Sequence, residues 1–128
     1  MTPEAAGFLG KANKLLLEAG ATLKIGLTDA AGRSAYLAGF HAAQAFISEQ
    51  TGRSVKTHKG VQIEFQRLTK DDRGFPPDLR AFLSQAYNLK AIADYETGPG
   101  AEVSEDQAAQ ALALAQRFVA HLEVRLAE

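Results

Sequence analysis

Between Gly32 and Ile47 the chain offers water almost no side of its own. The run reads Gly32-Arg33-Ser34-Ala35-Tyr36-Leu37-Ala38-Gly39-Phe40-His41-Ala42-Ala43-Gln44-Ala45-Phe46-Ile47. Tyr36, Phe40, Ala43 and Ile47 recur at helical spacing, and Ala35, Ala38, Ala42 and Phe46 fill the flanks. A helix apolar nearly all round belongs in a core, so the rest of the chain has to be wrapped around this one. Ser34, Leu37, His41, Gln44 and Ser48 lie three or four residues apart and share one face. Burying such a polar stripe unpaired costs ~1–3 kcal/mol per group, so it must meet another element, a cleft or a subunit interface. Arg33 opens its first turn. An arginine and a histidine on one core helix are the feature of this chain that points at chemistry.

Four more helical segments can be read around it. Thr2 is an N-cap with Pro3 at the first helical position, and Phe8, Leu9, Leu15 and Leu16 carry the apolar side towards Gly20, where a break is expected before Gly26. Thr28 or Asp29 caps the central helix, which runs to about Gln50 and stops at Thr51-Gly52, Gly supplying a left-handed turn. A basic connector, Arg53 to Gly60, precedes a short third helix carrying Val61, Phe65 and Leu68. Asp71 to Pro77 is a loop, and Pro77 or Asp78 opens helix four, with Leu79, Leu83, Ala86, Leu89 and Ala93 inward. Asp94-Tyr95 closes that helix, a place where tyrosine normally packs. Gly98-Pro99-Gly100 excludes continuous helix from Tyr95 to Val103. Ser104 and Gln107 form a capping box for the last helix, whose inner face is Ala108, Leu112, Ala115, Val119, Leu122 and Leu126; His121 is expected at its surface. No alternating pattern supports a strand. The fold class is all-α, an up-and-down bundle of four to five helices in one domain spanning residues 1–128.

Composition narrows the functions open to it. With 14 basic and 15 acidic side chains there is no global positive field, so any nucleic-acid contact must come from a local patch. There is no cysteine, which removes disulfides, thiolate metal sites and a thiol nucleophile. No basic-then-apolar segment resembles a signal peptide and no apolar run reaches ~18 residues, so a cytoplasmic chain without a membrane role is expected.

Histidine titrates near neutral pH and serves as a general acid or base, while the planar arginine fork clamps phosphoryl oxygens. Together Arg33 and His41 suit metal-independent RNA cleavage, in which the histidine moves the proton and the arginine holds the phosphate. The competing view makes His41 a satisfied core or interface histidine and Arg33 a solvated first-turn residue. Arg53, Lys56, His58 and Lys59 form a compact basic cluster suited to phosphate contacts, or simply a solvated loop. No spacing supports a metal site built on His41 and His58, and no cofactor is implied.

Tyr36-Leu37-Ala38-Gly39-Phe40-His41-Ala42-Ala43 resembles the central-helix signature of the small bacterial branch of the HEPN family (higher eukaryotes and prokaryotes nucleotide-binding). Lys56-Thr57-His58-Lys59-Gly60-Val61 and Ala91-Ile92-Ala93-Asp94-Tyr95 agree with the same branch, and the likeness runs from about Leu9 to Leu122. The resemblance implies a four- to five-helix bundle, a homodimer with its central helices facing a shared cleft, and metal-independent endoribonuclease activity. In some members that activity is a toxin's, paired with a minimal nucleotidyltransferase antitoxin. The family motif separates arginine and histidine by four to six residues. Here seven separate Arg33 from His41, and the arginine register falls on Ser34. Residues eight apart on an ideal helix stand about 80° out of line, against about 20° for seven. Ala43 stands where some paired toxins carry a modifiable tyrosine.

The expectation is therefore a HEPN-like homodimer acting on RNA or a nucleotide, with Arg33 and His41 catalytic. Ser34, Gln44, Lys56, His58 and Lys59 are the binding residues, and Arg33, His41 and Gln44 stand near the two-fold axis. Two alternatives stand beside it: a degenerate module that binds RNA or a nucleotide without cutting it, and a dimeric interaction protein whose polar stripe only fixes register.

Overall fold

The computed structural model describes residues 1–128. Five helices and no strand make up the chain: α1 (Pro3–Lys24), α2 (Thr28–Thr51), α3 (His58–Thr69), α4 (Pro77–Tyr95) and α5 (Glu105–Ala127). The bundle is built on α2, which packs against all four others. Fifteen of its 24 residues are buried, against Ala5, Ala12 and Ala19 alone in α1. That asymmetry is what a helix without a polar side dictates.

Small residues let the neighbours come close. A Cβ added at Gly39 would collide with the Phe82 ring of α4, and one at Gly32 would sit 3.2 Å from Val103 Cγ1. Phe46, Phe65, Phe75, Phe82 and Phe118 fill the core between α2, α3, α4 and α5 in edge-on and tilted pairs. Tyr36, Phe40, His58 and Tyr87 form a second aromatic group on the α3–α4 side of α2.

Several local signals hold. Thr2 caps α1 by accepting from the Ala5 N–H at 3.1 Å, and Gly52 ends α2 at φ 72°. Pro77 opens α4, and Ser104 and Gln107 close the reciprocal capping box at 3.0 and 2.9 Å.

Five expectations are corrected. The break expected at Gly20 comes at Gly26 instead, where φ is 78°. One interior Gly costs a helix only ~1 kcal/mol, and burial of Ala19 with packing of Leu23 against Ala31, Val103 and Ala108 outweighs it. Neither Thr28 nor Asp29 caps α2. Its N-cap is Leu27, with no side-chain cap, because the turn from α1 is too short to leave a spare extended residue. Asp29 instead accepts from the Val103 N–H at 2.8 Å, tying the start of α2 to the approach to α5. α3 begins at His58 rather than Val61, since Thr57 caps it by accepting from the Gly60 N–H at 3.0 Å. Tyr95 is 69% exposed rather than packed, with Lys90 Nζ 5.1 Å from its ring centre. His121 is half-buried rather than at the surface, because the loop before α4 folds Phe75 over it at 4.6 Å. No helix is long and apolar enough to cross a membrane.

Candidate functional site on α2

Two members of the polar stripe of α2, His41 and Gln44, find side-chain hydrogen-bond partners within the chain. Ser34, Gln44 and Ser48 are buried, and His41 is half-buried between α1 and the segment leading into α3. The Phe8 ring lies nearly parallel to the His41 ring at 6.5 Å, and Phe40 meets it edge-on at 5.2 Å. His41 Nδ1 is 2.7 Å from Gln44 Oε1, and Gln44 Nε2 donates to the Val55 carbonyl at 2.8 Å. Burial holds the His41 pKa below the usual imidazole value; the bond to Gln44 opposes this, and the positive charge of Lys11 and nearby His58 add to it. A histidine kept neutral near pH 7 has a lone pair ready to accept a proton.

Arg33 sits in a different environment at the start of the same helix. Its Nε donates to Asp94 Oδ1 at 2.9 Å, and Lys90 Nζ lies 2.8 Å from Asp94 Oδ2. The hydrogen bond from Lys90, with help from Arg33, holds the Asp94 carboxyl below the usual carboxylate range. Asp94 in turn raises the Lys90 pKa. Two cations thus share one carboxylate and leave one positive charge over, with the Arg33 side chain 46% exposed.

His58 stands between the two ends. Its Nδ1 is 2.8 Å from the Tyr36 hydroxyl, and its ring packs at 4.6 Å from Phe40 and 5.6 Å from Tyr87. Burial lowers its pKa first, then Lys90 and Arg33, against a smaller opposing pull from Asp94. Tyr36 beneath it is buried, which pushes its hydroxyl up to about 12. The stripe therefore runs from Lys11 past His41 and His58 to Arg33, Lys90 and Asp94, drawing on four helices.

The basic connector does not act as one cluster. His58 turns inward, and Arg53 lies 3.7 Å from Glu64, itself bonded to Arg67. Lys56 and Lys59 stay exposed. No group of three or more His, Asp or Glu side chains is placed to hold a metal ion. The groove between α4 and α5, lined by Phe82, Ala86, Leu89 and Ala111 among others, contains none of the nominated residues. Sequence reasoning missed Lys90, Tyr87, Phe8 and Lys11. Tyr87, Lys90 and Asp94 do recur at helical spacing on α4, and that polar run beside an inner face was the readable signal.

A model of the HEPN domain matches residues 5–125. The chain is also 37% identical over 109 residues to a protein of Archaeoglobus fulgidus named "UPF0332 protein", covering 85% of this chain and 84% of the relative.

Proposed function

The chain belongs to the HEPN-domain family, and on that premise we propose that it acts on RNA as a metal-independent endoribonuclease. His41 takes the proton from a ribose 2′-hydroxyl. The resulting oxygen attacks the adjacent phosphorus, and the 5′-oxygen leaves with a proton from solvent. The products are a 2′,3′-cyclic phosphate and a 5′-hydroxyl end. The observation that carries this reading is the half-buried His41, its pKa held below the usual imidazole value, with one ring nitrogen hydrogen-bonded to Gln44 and the other making no hydrogen bond within the chain. Arg33, bonded to Asp94 through Nε, keeps its two terminal nitrogens for a phosphate, and Lys90 adds charge beside it. Lys56 and Lys59 lead the strand in. The test is incubation of the purified protein with RNA in excess chelator beside a His41→Ala control. Chelator-resistant cleavage to cyclic phosphate ends, absent in the control, is expected; intact RNA in both arms overturns the nuclease reading.

A second reading has its own observation. Arg33 is eight positions from His41 and tied to α4, about 80° round the helix from it. That geometry favours a module that binds RNA or a nucleotide without cutting it. Salt-dependent RNA binding with no cleavage would select it.

Assembly belongs to the same proposal. Leu17, Ile25 and Leu27 are 76%, 72% and 52% exposed around the end of α1, leaving apolar area for a second copy. Gln44 is spent inside its own protomer, so a two-fold contact has to use other residues. Light scattering at micromolar concentration should give a dimer mass. Should the chain act as a toxin, a nucleotidyltransferase antitoxin is its proposed partner, and Ala43 denies that partner a tyrosine two residues beyond His41.

A further inference from the structure

We propose that Gln44 is the positioning residue of the site: it fixes His41 in the Nδ1–H tautomer, so that Nε2 alone bears the lone pair that accepts the substrate proton. The catalytic half of this statement rests on the nuclease reading above; the tautomer does not.

The argument begins at Val55. A backbone carbonyl can only accept, so the Gln44 atom 2.8 Å from it must be the amide nitrogen. That settles which way the carboxamide points. The atom facing His41 is then Oε1, which can only accept, and the ring nitrogen 2.7 Å away must carry the proton. One backbone carbonyl thus sets the side-chain amide, and the amide sets the tautomer. Gln44 is 4% exposed, so water does not compete for either bond. Leaving either amide atom unpaired there costs ~1–3 kcal/mol, which holds the arrangement against a flip.

Three consequences follow from this geometry. Neutral His41 meets the substrate through Nε2, as a base and not as a donor. Both amide atoms of buried Gln44 are already engaged inside the chain, so its role in the stripe is orientation. Because Val55 lies in the segment between α2 and α3, whatever shifts that segment shifts the base.

The experiment is a nitrogen-15 NMR titration of histidine-labelled full-length protein. Wild-type His41 should show a protonated Nδ1 and an unprotonated Nε2 at neutral pH. The opposite pattern overturns the proposal whether or not the protein cuts RNA. In Gln44→Met, similar in shape and without the amide, His41 should shift towards the Nε2–H form that unconstrained imidazole favours. An unchanged pattern overturns the assignment to Gln44. Gln44→Glu gives up the bond to the Val55 carbonyl but keeps an acceptor at Nδ1 and adds a negative charge, so the Nδ1–H form should persist and the His41 pKa should rise. In kinetics, Gln44→Met should lower kcat by about 10–10²-fold with KM nearly unchanged, as expected for a misaimed base. Gln44→Glu should recover much of kcat while moving the acid limb of the pH profile upward. A purely structural role would lower both variants alike with no such shift, and that result also overturns the proposal. Wild-type protein with the Nδ1–H form and no cleavage supports the tautomer and overturns the nuclease reading alone.

Discussion

Arg33 and His41 stand on one helix, yet Arg33 is half-exposed in an ion triad while His41 is half-buried on neutral partners. At the Arg33 end, solvent and Asp94 stabilise charge, and the surplus cation suits an incoming phosphate. At the His41 end, burial and a hydrogen-bonded amide favour the uncharged ring. The pair teaches how a single helix can keep a cation and a base apart in protonation behaviour without separating them in space by a domain. α2 achieves it by changing neighbours along its length: α4 beside Arg33, α1 and the α2–α3 segment beside His41.

The largest expected effect breaks the His41 end outright. His41→Ala should slow RNA cleavage by roughly 10²–10⁴-fold, the range for losing a general acid or base, while leaving RNA affinity close to wild type in filter binding. Equal loss of affinity and rate would instead make His41 a binding group.

Next in size is the tight packing between the two ends. Gly39 lies between them on α2, and a methyl group there meets the Phe82 ring of α4. Gly39→Ala should cost about 1–3 kcal/mol in chemical denaturation, the range for overpacking a filled core. A neutral result would mean that Phe82 yields and that the α2–α4 spacing is not fixed by this glycine.

The pH dependence of stability should separate the ends by window. His41 and His58 have depressed folded pKa values, so the unfolded chain binds more protons below the ordinary 6.5. Their contribution is fully present above pH 6.5 and is lost as pH falls towards the folded values. Asp94 is also depressed, but from 3.8, so its contribution is lost only as pH falls below about 4. Melting curves should therefore show two inflections. His41→Gln should flatten the upper one and Asp94→Asn the lower one; swapped assignments would refute the electrostatic contrast.

The smallest effect concerns charge alone. Arg33→Ala should weaken RNA binding modestly and reduce the slope of log K against log salt by about one, as loss of a single phosphate contact does. The double change at Lys56 and Lys59 should reduce it by about two. If Arg33→Ala leaves the slope unchanged, Asp94 keeps the guanidinium from the phosphate.

How much of this the sequence reveals depends on how far each cause reaches. The core helix, its end at Gly52, the capping box at Ser104 and the start at Pro77 are written within a few residues, and all are legible. Gly20 misleads because the packing of Leu23 on Val103 decides it, and that contact spans most of the chain. Asp29 looks like a cap from its neighbours alone, but its partner is 74 residues away. In the site, Arg33, His41 and Gln44 stand out by spacing. Their partners do not: Asp94 is 61 residues from Arg33, and Val55 contributes a backbone carbonyl that any residue type would supply.

Those sequence separations also set an order of assembly. The bonds that orient His41 join residues 3 and 11 positions apart, whereas the Arg33–Asp94 pair closes a loop of 61. Closing the longer loop carries the larger entropic cost and must await docking of α4. As the chain leaves the ribosome, the proposed base is thus expected to be aimed before the proposed phosphate seat exists, so that a nascent chain holds only half of the proposed site. Pulse-labelled amide exchange on the refolding protein should find protection around Gln44 and Val55 earlier than around Asp94.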